Sequence, residues 1–105
     1  MKEIKYMLPV FIIPSENNTI SENDLGMGYL RITVEYKSYF PTLSQEVFVT
    51  IGSKSQLIKF TYRENKSHLL HIGQGGIDSL TLSDGERVCF EVIGEFRYRL
   101  SKLVP

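Results

Sequence analysis

Alanine and tryptophan are absent from this 105-residue chain, and cysteine occurs once. The missing alanine removes the strongest helix former and the usual filler of helical surfaces. In its place stand 10 Ile, 7 Val, 6 Thr, 6 Tyr and 6 Phe, the residues that suit a pleated, half-buried surface. The single Cys89 excludes an intramolecular disulfide, and a reducing compartment is its simplest setting. A membrane helix needs about 20 consecutive apolar residues, and no run here approaches that. The longest, Tyr6 to Ile13, is interrupted by Pro9. Ser15-Glu16-Asn17 follows it without a cleavage pattern, so it reads as a first strand and not as a signal peptide. These absences point to a cytoplasmic protein that does not span a membrane.

Net charge is also lacking: twelve Lys and Arg balance twelve Asp and Glu. No global field therefore gathers nucleic acid or an anionic lipid surface. Composition is that of a globular chain, with no repeat, linker or low-complexity tract, and residues 1–105 read as a single β domain.

Alternation carries the fold prediction. Residues 4–13 read as a strand that Pro9 confines to a sheet edge or a bulge. Residues 14–28 form the longest polar stretch and read as a loop. Leu30, Ile32, Val34 and Tyr36 then share one face, with Arg31, Thr33, Glu35 and Lys37 on the other, which predicts a strand with one wet side. Val47, Val49 and Ile51 form the next inward set, and Ile58, Phe60 and Tyr62 follow after a turn at Gly52–Ser55. His68 to Ile72 reads as a short strand, and Gly73-Gln74-Gly75-Gly76 as a flexible turn. Leu80 and Leu82 read as strand residues, Leu82 pairing with Val88.

From Val88 to Leu100 the even positions are apolar, apart from Gly94. A continuous strand over 87–100 spans about 50 Å, too long for this domain. Gly94 must therefore kink the strand or head a tight hairpin. The expected fold is all-β: a small sandwich or partly open barrel of seven or eight short, mostly antiparallel strands.

Chemistry is sparse. Asp24 with Glu35 and Lys37 outlines the carboxylate–carboxylate–lysine set of metal-dependent nucleases, but Glu35 and Lys37 read more simply as the wet face of a strand. His68 and His71, three apart on a strand, fall on opposite faces and cannot chelate one ion. One of them is expected to point inward with a hydrogen-bonded ring nitrogen. The glycine run lacks the residues that a phosphate loop requires. Cys89 has no histidine near it in sequence to act as a base. No catalysis, cofactor or metal is expected.

Charge is separated rather than missing. Lys54, Lys59, Arg63 and Lys66 give residues 54–66 a net charge of +3 after Glu64, and Arg97, Arg99 and Lys102 form a second basic group. Glu16, Glu22 and Asp24 lie in the acidic stretch, with Asp78 further on. The first expectation is a non-catalytic inhibitor of the immunity-protein or antitoxin type, whose acidic residues Glu16, Glu22, Asp24 and Asp78 occlude a partner protein such as a basic toxin or nuclease. The alternative is a nucleic-acid-binding barrel using Lys54, Lys59, Arg63, Lys66, Arg97 and Arg99. Phe60, Tyr62, Phe96 and Tyr98 fall on the inward phase, so that alternative lacks a stacking platform in the sequence reading. A structural subunit pairing through an edge strand is the third possibility.

Overall fold

The computed structural model of the chain describes residues 9–14 and 18–103. Within them, seven strands build one sheet: β1 (Val10–Ile13), β2 (Leu30–Ile32), β3 (Gln45–Ile51), β4 (Lys54–Thr61), β5 (His68–His71), β6 (Val88–Gly94) and β7 (Arg97–Lys102). Their order across the sheet is β1-β6-β7-β3-β4-β5-β2. All neighbours are antiparallel except β3 and β7, which run parallel. The sheet curls until its two end strands, β1 and β2, come into contact, so it is a nearly closed barrel and not a sandwich. The all-β expectation holds. β1 is an edge strand, as Pro9 predicts, and the part of that predicted strand before Pro9 lies outside the described residues.

Most of the inward sets foreseen from alternation form the core, but Tyr62, expected inward, is 37% exposed because β4 ends at Thr61 and Tyr62 already lies in the following loop. Val47, Val49, Phe60, Val88, Phe90 and Tyr98 are all almost fully buried. Phe40 lies between Tyr98 and Phe60, with ring centroids 4.5 and 5.5 Å away. The buried Tyr98 hydroxyl donates to the Tyr39 carbonyl, which satisfies the one polar atom that ring carries inside. Gly94 resolves as part of a hairpin: β6 and β7 pair antiparallel, joined by Glu95 and Phe96, with Phe96 at φ 53° and a bulge between Val92 and Gly94.

Four expectations are corrected. Residues 14–28 are not all loop, because α1 spans Glu22–Met27. Ser21 caps it: the Ser21 hydroxyl accepts from the Asp24 N–H, and the Asp24 carboxylate accepts from the Ser21 N–H, both at 3.1 Å. The predicted strand over 30–37 stops at Ile32 and becomes a 3-10 helix, Val34–Tyr39. Among the described residues β2 pairs only with β5, and Ile32 lies opposite His68, the first residue of β5. Beyond that point the partner chain is a turn, so no ladder remains for Thr33 to Lys37 to join. Val34 is accordingly exposed, not inward.

The glycine run at 73–76 opens α2 (Gly73–Leu80) instead of a flexible turn. Thr81, at φ 54°, ends that helix, so Leu80 and Leu82 reach the core from a helix end and a reversal, not from a strand. Both helices lie at the end of the barrel where β2 begins and β5 finishes. There the backbones of Gly28 and Gly73 touch, with the Gly73 N–H donating to the Gly28 carbonyl at 2.8 Å. A β-carbon on Gly28 would stand 3.2 Å from the Gly73 Cα, which is why a glycine occupies this position.

Candidate nucleic-acid interface

Cross-strand register places the basic residues. Lys59 on β4 lies opposite Glu46 on β3; Arg97 and Arg99 on β7 lie beside Phe48 and Thr50 on β3. Val47 and Val49 of β3 are buried, so their neighbours Glu46, Phe48 and Thr50 face solvent, and so do Lys59, Arg97 and Arg99. The outer face of β4-β3-β7 therefore gathers three of the six predicted cations. At its centre the Arg97 guanidinium carbon lies 4.3 Å above the Phe48 ring centroid, a cation–π contact. Phe48 is 37% exposed and Leu57, its register partner on β4, is 52% exposed.

A second basic group sits where β4 ends. The loop from Tyr62 to Ser67 joins β4 to β5 and carries Arg63 and Lys66. It is pinned on three sides: the Tyr62 N–H donates to the Ser44 hydroxyl at 2.9 Å, the Arg63 N–H to His68 Nδ1 at 3.0 Å, and the Arg63 Nε to the Ser67 carbonyl at 2.7 Å. Lys37 reaches in from the 3-10 helix and donates to the Arg63 carbonyl at 3.4 Å. Read from the sequence as the wet face of a strand, Lys37 is in the structure a third cation of this loop. Only the ending of β2 puts it there.

His68 is the inward histidine, 2% exposed, with the hydrogen-bonded ring nitrogen the alternation predicts. Burial, followed by the neighbouring Lys37 and Arg63 charges, holds its pKa below the ordinary value. His71 faces outward and shares a 2.8 Å hydrogen bond with the Thr61 hydroxyl; burial and then Lys59 lower its pKa as well.

Lys54 departs from the group. It pairs with Ile51 at the β3–β4 turn, at the opposite end of β4 from Arg63 and Lys66. Among the described residues the ion pairs are Arg31–Asp24, Arg99–Glu91 and Lys102–Glu86. Lys59, Arg63, Lys66 and Arg97 take no carboxylate in any of them; Lys59, Lys66 and Arg97 are exposed and Arg63 is half-buried.

The acidic candidates fare differently. Asp24 is 3% exposed, accepts from Arg31 Nε at 3.0 Å and completes the α1 cap. It is committed to the fold. Glu22 and Asp78 are exposed on α1 and α2, and Glu16 lies outside the described residues. The carboxylate–carboxylate–lysine outline of Asp24, Glu35 and Lys37 does not assemble, since Asp24 bonds Arg31 while Lys37 reaches Arg63. No group of three or more His, Cys, Asp or Glu that could hold a metal ion occurs among the described residues. Cys89 is half-buried on β6. None of the described helices is long and apolar enough to cross a membrane.

No protein-family model matches the chain. No curated protein matches it in sequence. In three dimensions it is similar to the N-terminal domain of Helicobacter pylori LlaJI.R1, with a TM-score of 0.63 and 12% sequence identity over 91% of this chain and 88% of that one. At that identity the likeness is one of fold.

Proposed function

We propose that this protein is a nucleic-acid-binding β-barrel that performs no catalysis, in keeping with a cytoplasmic setting. One observation carries the reading. Lys59, Arg63, Lys66 and Arg97 lie on β4, the loop that follows it and the nearby β7, and the described ion pairs leave all four without a carboxylate. Cations gathered on one side and outside every described ion pair give a net-neutral chain a local positive surface, with Glu46 opposite Lys59 as its nearest counter-charge across the ladder. Phosphates are the ligand such a surface takes, through charge-assisted contacts with long side chains. That a domain of the same fold stands at the N-terminus of another protein suits a recognition module. The inhibitor reading is weaker, because Asp24, one of its four acidic residues, is buried in a cap and an ion pair.

Binding of labelled single- and double-stranded DNA, followed by fluorescence anisotropy at increasing salt, tests the proposal. At about 50 mM salt binding is expected, falling linearly in log–log form as salt rises. The triple reversal K59E/R63E/K66E is expected to weaken it at least about 10-fold and to flatten the salt slope by roughly 0.7–0.9 for each phosphate no longer neutralised. E22K/D78K is expected to leave affinity unchanged or raise it. Absence of binding to both forms at low salt would discard the reading.

A further inference from the structure

The geometry points to an unpaired strand as the ligand, with one base stacked on the Phe48–Arg97 pair; this deepens the nucleic-acid reading and rests on it. Three features of the outer face of β4-β3-β7 support a single strand over a duplex. First, Phe48 is an aromatic ring on the solvent face of a sheet whose other strand aromatics, Phe11, Phe60, Phe90 and Tyr98, are buried in the core. The ring remains 37% exposed, and a base stacked on the guanidinium above it would extend the pile outward and cover more of it. Second, Arg97 lies over it at 4.3 Å, so a flat guanidinium is already held there for a base to stack upon. Leu57, opposite Phe48 on β4, extends the apolar floor on the other side.

Third, the cations flank this floor instead of interrupting it. Lys59 stands one outward position along β4 from Leu57, and Arg99 one outward position along β7 from Arg97. Arg99 is held by Glu91 at 2.7 Å and Lys59 lies opposite Glu46, so a phosphate on either side of a stacked base competes with a carboxylate for its cation. A duplex offers this surface little. Its bases are stacked on one another and show only their edges in the grooves, so no base face is available to Arg97 and Phe48. The outward side of a curled sheet is moreover convex, which suits a flexible strand that wraps it. The shared chemistry is a single strand of either DNA or RNA.

Anisotropy titrations of the full chain with a labelled oligothymidine of about twelve nucleotides test this, alongside the matching oligouridine and the oligothymidine annealed to oligoadenosine. Binding of a single strand about 10-fold or more tighter than the duplex supports the inference, and the tighter of the two strands identifies the backbone. F48L keeps apolar bulk but removes the ring, and is expected to lose about 10-fold in single-strand affinity; F48W is expected to retain it. Because the chain has no tryptophan of its own, F48W also reports directly: its emission is expected to be quenched by the stacked base. Circular dichroism of both variants checks that the barrel is intact. A duplex bound as tightly as the strand, or an F48L variant that binds like the unchanged protein, overturns the inference while leaving the phosphate-binding surface in place. Failure of all three nucleic acids to bind overturns the surface itself.

Discussion

Two residues show how a single side chain can serve the fold and set the conditions under which it holds. Asp24 closes the α1 cap and neutralises Arg31 from a site that water barely reaches. D24A leaves the Arg31 guanidinium and the Ser21 N–H without their acceptor, and is expected to cost about 2–4 kcal/mol in chemical denaturation. Nucleic-acid affinity measured below the transition should not move. His68 supplies the acceptor that anchors the β4–β5 loop, and it must be neutral at Nδ1 to do so. Its pKa in the fold is lowered from 6.5, as is that of His71. Below pH 6.5 the unfolded chain takes up protons that the folded one refuses, so stability is full above that value and falls as pH drops toward the folded pKa. Melting temperatures are therefore expected to decline from pH 7.5 to 5, both values chosen to bracket the ordinary histidine range of about 6.5. H68N, whose amide oxygen can accept at the same place without titrating, should remove part of that decline and leave the share due to His71.

At the scale of elements, α1 forms without alanine because its ends are well made. α1 spans Glu22–Met27, capped by Ser21 and closed by Gly28 at φ 75°. The signal is in the sequence, as Ser21-Glu22-Asn23-Asp24 followed by Gly28, but an acidic run without apolar periodicity reads first as loop. α2 hides in the same way behind three glycines. Its buried residues Gly76, Ile77 and Leu80 follow a helical spacing, and Gly76 has no room for a β-carbon, which would meet the Ile72 Cβ at 2.8 Å. Its far end is less well made. Thr81 is β-branched, exposed and left-handed at φ 54°. T81G is expected to stabilise the protein by about 0.5–1 kcal/mol, since glycine adopts that conformation without steric cost. A melting temperature that fails to rise would show that the Thr81 side chain has a stabilising contact of its own.

Over the whole molecule, the weak line of the barrel is where β1 meets β2, because among the described residues no ladder joins them. An aromatic stack covers it. Phe11 of β1 lies 4.6 and 5.1 Å from the rings of Tyr36 and Tyr39 on the 3-10 helix, and 5.4 Å from Phe90 in the core. F11A is expected to cost about 3–5 kcal/mol by leaving a cavity that three rings cannot fill. The destabilisation should be visible as faster amide exchange in β1, while the β3–β4 hairpin stays protected. The same 3-10 helix that seals this line carries Lys37 to the β4–β5 loop, so closure of the barrel and assembly of the basic end depend on one segment.

The all-β class, the restriction of β1 to an edge or a bulge, the buried faces of β3, β4, β6 and β7 and the placing of His68 and His71 on opposite faces were determined by the sequence alone. Each follows from a local rule: side chains alternate across a strand, and a proline cannot donate to a ladder. What tertiary structure decided is which local pattern was allowed to run its length. Alternation from Leu30 to Tyr36 is regular, yet the strand ends at Ile32 because its only partner among the described residues turns away. The candidate interface belongs to the same category. Phe48 alternates outward as readily as any polar residue, but its meeting with Arg97 requires that β7, far later in the chain, pair parallel to β3. Register between strands distant in sequence is fixed by the packing of the closed sheet, and no property of either strand by itself contains it.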